Sequence, residues 1–282
     1  MIFIEMLSYP FLARALLVGV LVSLCAALLG TPLVLKRYSM IGDGLSHVGF
    51  GSLAIATALG LAPLAVTVPV VALSAVLLLR ISQNGRIRGD AAIALISSGA
   101  LALGVIVVSL TSGMNMNVSN YMFGSILTVS RADAALSVAL CAAVIALFTV
   151  LYDRIFAVTF DETFAAATGT RAQLYNTLLA VLTAVTVVLG MRMMGALLIS
   201  SLLIFPPLSA MRVFRTFRGV TVCSAVLSVA CFLAGMAASY ALETPSGASV
   251  VAADILAFCI FALAGRLLRR QGVCAFRRAS GR

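Results

Sequence analysis

The sequence predicts an all-α fold, a polytopic transmembrane helical bundle of about nine spans, with eight to ten as the bounds. Two observations carry this. Of 282 residues, 62% are hydrophobic and only 10% charged, whereas soluble domains are about 45–50% apolar and about 25% charged. The apolar residues also fall in runs of bilayer length, separated by short polar segments, and mean hydropathy is +1.16. A net charge of +10 would suggest nucleic acid in a soluble protein. In a chain this apolar it bears on which loops face the cytoplasm, and nucleic-acid binding is set aside.

In order, the runs are Phe11 to Leu35, Ser39 to Leu61, Pro63 to Leu79, Ala91 to Leu110, Ala134 to Leu151, Leu174 to Gly190, Gly195 to Met211, Val220 to Leu242 and Ala248 to Ala264. Residues 1–10 are an external N-terminal segment, 11–266 the transmembrane domain and 267–282 a basic cytoplasmic tail. Met1 to Pro10 lacks a basic n-region, so no cleavable signal is expected. With nine crossings, sixteen of the nineteen basic residues fall on one side, leaving Arg14, Arg131 and Arg192 opposite. The positive-inside rule then puts the N-terminus outside and the C-terminus in the cytoplasm.

Two stretches do not read as plain spans. Residues 111–133 begin polar, with Met114 and Met116, and continue through a short apolar run, Tyr121 to Val129. That run is too short to cross; it reads as a re-entrant or interfacial helix, or as a loop capping the bundle. Tyr152 to Arg171 is the largest internal loop. Within it Asp161 and Glu162 precede an alanine-rich turn that stops at Gly169, the pattern of a short helix with acids at its positive end. It is either a docking element or a capped connector. Pro206 and Pro207 are expected to interrupt the seventh span, and Thr244 to Ala248 reads as an external turn beside Glu243.

The chemistry is concentrated in Tyr38 to Ser52, which carries the only histidine, His47, one helical turn after Asp43. An ionisable residue in hydrocarbon costs a few kcal/mol or more unless it meets a partner or an aqueous path. Carboxylate and imidazole are both first-row metal ligands. A structural hydrogen bond between the two residues is the plainer alternative. Asp254 is a second intramembrane acid, read as a helix–helix hydrogen bond or as a secondary channel carboxylate. The six cysteines show no C-x-x-C spacing and five lie in apolar runs, as packing residues do. No phosphate-binding loop occurs and Lys36 is the only lysine, so nucleotide hydrolysis is not assigned to this chain.

Five ordered segments, Lys36 to His47, Tyr121 to Leu127, Thr159 to Gly169, Gly195 to Pro206 and Pro245 to Ala248, together resemble the permease subunit of the zinc, manganese and iron ABC importers. The likeness runs from about Phe11 to Arg266. It implies a bacterial cell-membrane protein, no enzyme itself, that pairs with a second copy of itself, two cytoplasmic ATPase subunits that bind ATP, and an external metal-binding protein. By the same resemblance Asp43 and His47 are the channel's metal ligands, for Zn2+ first and Mn2+ next. Asp161, Glu162, Phe164 and Gly169 belong to the helix that couples to the ATPase. A twofold dimer would bring two oxygens and two nitrogens together on its axis. Two other readings stay open: an ion-coupled secondary metal carrier using Asp43 and Asp254, and a membrane scaffold or sensor in which His47 responds to pH.

Overall fold

The computed structural model describes residues 10–83, 89–111 and 131–279, all of whose regular structure is helical. The expected re-entrant segment, with Met114, Met116 and Tyr121 to Val129, lies outside the described residues, as do positions 1–9 of the N-terminal segment. The helices are α1 (Pro10–Leu35), α2 (Ile41–Ala58), α3 (Pro63–Gln83), α4 (Gly89–Leu110), α5 (Arg131–Val150), α6 (Tyr152–Phe160), α7 (Glu162–Ala167), α8 (Ala172–Met194), α9 (Ala196–Val213), α10 (Phe217–Leu242) and α11 (Ser246–Ala279).

Seven of these are long and apolar enough to cross a bilayer, and α5 with α6, bent by 68° at Leu151, passes the same test only if the bent pair is taken as one span, for up to eight. The ninth expected span, α2, packs among α3, α4, α8 and α9. It falls short in hydropathy because it carries Asp43, His47 and several glycines in 18 residues. Helices generally outrun the apolar stretches. Thus α3 continues past Leu79 through Arg80 to Gln83, because backbone hydrogen bonding, not hydropathy, decides where a helix stops.

The centre of the bundle is α1, which touches α5, α6, α8, α9 and α10. Two-thirds of its span is buried, as is that of α8, against 17% for α4 and α11. Close approach to α1 is made possible by Gly30, where a Cβ would sit 2.1 Å from the Leu203 carbonyl oxygen of α9. Serines of α10 reinforce the contact: Ser228 donates to the Ser23 carbonyl of α1 at 2.9 Å and Ser224 to that of Ala27 at 3.5 Å. Such interhelical bonds suit a setting where hydrophobicity alone does not drive helices together.

Two local expectations change. Pro206 and Pro207 do not interrupt the seventh span; α9 stays helical from Ala196 to Val213. Proline at 207 deprives the Leu203 carbonyl of its usual partner, and that oxygen is the atom facing Gly30. Neighbouring backbone therefore occupies the place of the missing hydrogen bond. The internal loop after α5 is not open chain either: residues 152–160 form α6, whose Ile155 and Val158 are buried while Phe156 packs tilted and Phe160 edge-on against Phe217, with ring centroids 5.3 and 6.0 Å away. At the other end, Glu243 turns the chain at φ 54°, and α11 runs helical into the stretch expected to be a tail.

Candidate functional site

Asp43 lies in the first turn of α2 and His47 one turn further along. His47 Nε2 is 3.6 Å from Asp43 Oδ2, with side-chain exposures of 25% and 43%. The two groups therefore face one point, partly open, at the positive end of a helix dipole that favours the carboxylate. Ser46 donates to the Asp43 backbone carbonyl at 2.7 Å. Ser200 of α9 donates to Asp43 Oδ1 at 3.3 Å, holding one carboxylate oxygen while the other faces the imidazole. His47 Nδ1 is buried with no hydrogen-bond partner, so neither ring nitrogen is tied by a close backbone or carboxylate bond. Among the described residues no group of three or more His, Cys, Asp or Glu could hold a metal ion. One chain thus offers an oxygen and a nitrogen, half of a four-coordinate site.

Sequence alone does not single out Ser200. The available signal is the pair of adjacent hydroxyls, Ser200 and Ser201, in the apolar first half of α9. Ser201, about 100° further round the helix, faces a different neighbour: its hydroxyl is 3.1 Å from Asp254 Oδ2 and 2.9 Å from the Leu198 carbonyl oxygen. Asp254 is 1% exposed, and its Oδ1 has no partner. The bond joins α11 to α9.

The second constellation lies around α7. Asp161 caps that helix in extended conformation, accepting from the Phe164 backbone N–H at 2.9 Å and from the Thr163 hydroxyl at 2.7 Å. These bonds hold the Asp161 carboxyl below the ordinary carboxylate value, the backbone donor contributing most. Gly169 closes the turn at φ +84° with open space around it, where a side chain would be strained. Ala165 is buried beneath α7 and Phe164 is 65% exposed on its outer face. Glu162, its side chain half-exposed, reaches back to α8 and the end of α1, accepting from Asn176 Nδ2 at 2.8 Å and lying 3.5 Å from Lys36 Nζ. A groove of about 1210 Å³, lined by Arg80, Glu162, Arg171, Leu174 and Leu178 among others, opens beside α7 and away from Asp43 and His47.

The profile of the ABC 3 transport family matches residues 8–265. The chain belongs to that family. Its members are permeases, and this ABC 3 permease is accordingly a non-catalytic membrane component. It is 28% identical over 271 residues to the manganese transport system membrane protein MntC of Halalkalibacterium halodurans, covering 96% of this chain and 92% of the relative. It is 29% identical over 254 residues to the high-affinity zinc uptake system membrane protein ZnuB of Haemophilus influenzae, covering 89% and 97%. Among solved structures, PsaBC from Streptococcus pneumoniae in complex with a Fab superposes with a TM-score of 0.82 at 28% identity, covering 92% of this chain and 94% of that one.

Proposed function

We propose that this ABC 3 permease imports a divalent ion of the Zn2+/Mn2+ class, and that the ion passes through a site made by Asp43 and His47. The observation that carries the reading is the pair itself: a carboxylate and an imidazole 3.6 Å apart on one helix face, partly exposed within an apolar bundle. An oxygen and a nitrogen suit both ions. The donor set ranks zinc first, while relatives named for manganese and for zinc are similarly close to this chain.

A second copy of the chain supplies the other two donors across a twofold axis. ATPase subunits dock on α7 at the cytoplasmic face, with the N-terminus of the permease outside, and an external binding protein delivers the ion. ATP-driven closure of those subunits moves α7, and α2 opens toward one side at a time. Two donors per chain and no thiolate hold the ion weakly enough for release. The excess of basic residues on the α7 side of the bundle supports this orientation.

The test is uptake of Mn2+ and Zn2+ by the assembled transporter in proteoliposomes. Asp43→Ala and His47→Ala should abolish uptake of both ions while leaving the ATPase bound. Normal uptake by both variants would eliminate the site. Uptake that persists without ATP on a proton gradient would instead favour an ion-coupled carrier.

A further inference from the structure

The chain's only lysine is placed where the end of α1, the start of α8 and α7 meet. Lys36 donates through Nζ to Asn176 Oδ1 and lies 3.5 Å from Glu162 Oε2, while Asn176 donates to Glu162 Oε1 at 2.8 Å. The three side chains form a closed triangle. Asn176 is 4% exposed and the Lys36 side chain 12%, while the Glu162 side chain is 49% exposed, so the lysine and asparagine ends of the triangle are sheltered and its glutamate end is open.

The chain immediately after Lys36 is equally fixed. Tyr38 N–H donates to the Leu33 carbonyl at 2.8 Å and Arg37 N–H to that of Val34 at 3.1 Å, the two bonds of a Schellman turn. Arg37 takes φ +63° without being glycine, a conformation that persists only where the surroundings over-determine it. The Tyr38 hydroxyl accepts from Ser82 of α3 at 3.3 Å. Ile41 N–H then donates to the Tyr38 carbonyl at 3.1 Å and Gly44 N–H to that of Met40 at 3.0 Å. The first turn of α2, with Asp43 in it, is therefore joined to Lys36 by a short connector hydrogen-bonded at both ends.

We infer that Lys36, bridged to Glu162 by Asn176, is the latch that passes movement of α7 to α2, making it a positioning residue for the ion-binding pair. This rests on α7 being the element that the ATPase moves. Coupling between two sites needs an element that both bias; the 36–40 connector touches α7 and α8 through Lys36 at one end and carries Asp43 beyond the other. Glu162 thereby has a task toward α8 and the end of α1, distinct from the outward-facing Phe164.

The experiment uses the whole transporter in lipid nanodiscs and proteoliposomes, with Mn2+ as the ion, and records three quantities: ATPase co-purification, ATP hydrolysis and Mn2+ moved per ATP. Lys36→Met should leave the first two intact and lower Mn2+ per ATP about tenfold, the scale of a hydrogen bond to a charged group. Lys36→Arg should restore coupling to within about threefold, because both the charge and the donors return. Asn176→Ala should lower the ratio on its own, and the double variant should be no worse than Lys36→Met, as expected for members of one network. If Lys36→Met fails to assemble, Asn176→Ala carries the same expectation. A ratio within twofold of wild type in Lys36→Met or, failing its assembly, in Asn176→Ala overturns the latch. Failure of the underlying reading is recognised separately: Phe164→Ala would then retain the ATPase in full, and the wild type would move no Mn2+ with ATP.

Discussion

Gly30→Ala is the substitution whose cost can be worked most directly from the structure. The added Cβ would lie 2.1 Å from the Leu203 carbonyl oxygen and 3.0 Å from its carbon. A comfortable carbon–oxygen contact is about 3.3 Å, so the shortfall is about 1.2 Å. Both atoms are main chain, so no side-chain rotation can relieve it, and α1 must part from α9. Overpacking of this kind costs about 1–3 kcal/mol, and rigid backbone favours the upper end. The gain in helix propensity from glycine to alanine offsets up to about 1 kcal/mol. The net loss is about 1–2 kcal/mol on these two magnitudes. Gly99→Ala in α4 is the matched control: a Cβ there meets nothing within 4 Å, leaving only the propensity gain. Thermal unfolding in detergent can be followed with a thiol-reactive dye, since Cys25, Cys141 and Cys231 are buried and free. Gly30→Ala should melt below wild type and Gly99→Ala at or above it. A Gly30→Ala protein as stable as Gly99→Ala would refute the close packing of α1 on α9.

Three further outcomes are expected. Asp161→Ala should fray α7 and weaken ATPase co-purification, whereas Asp161→Asn keeps a capping acceptor and should retain it. Because the Asp161 carboxyl titrates below its ordinary value of 3.8 in the folded chain, the stability it lends is complete above that value. It is lost only as pH falls through the lowered one, so co-purification should not decline between pH 7 and 5 on its account. Asp254→Leu should leave Mn2+ uptake within about twofold and alter stability by no more than about 1 kcal/mol, since it removes a buried carboxyl whose Oδ1 has no partner and Ser201 keeps its bond to the Leu198 carbonyl; lost uptake in a well-folded variant would instead put Asp254 on the ion path.

The broad architecture is legible in the sequence because lipid imposes one rule: long apolar runs must be helices. The i, i+4 pairing of Asp43 and His47 is legible for the same reason, since helical periodicity alone puts them on one face. Other features depend on which helices become neighbours, and hydropathy is silent on that. Ser200 reaches Asp43 from 157 positions away, and Lys36 meets Asn176 across 140. The helical course of α9 through Pro206 and Pro207 likewise depends on a glycine in another helix lying against the freed carbonyl. The bend before α6 cannot be placed from composition, because residues 152–160 put two charged residues, Asp153 and Arg154, ahead of the short apolar run Ile155 to Val158, which is too brief to tell a short helix from a loop.

The most direct measurement is pulsed electron paramagnetic resonance of Mn2+ bound to the purified permease, prepared with a tag that contains no histidine. His47 is the only histidine in the chain, so an imidazole nitrogen modulating the Mn2+ signal has one source. The expected result is nitrogen modulation in the wild type that disappears in His47→Ala and weakens in Asp43→Ala. Bound Mn2+ without nitrogen modulation in the wild type, or with modulation unchanged in His47→Ala, would contradict the assignment of the ion path to this pair.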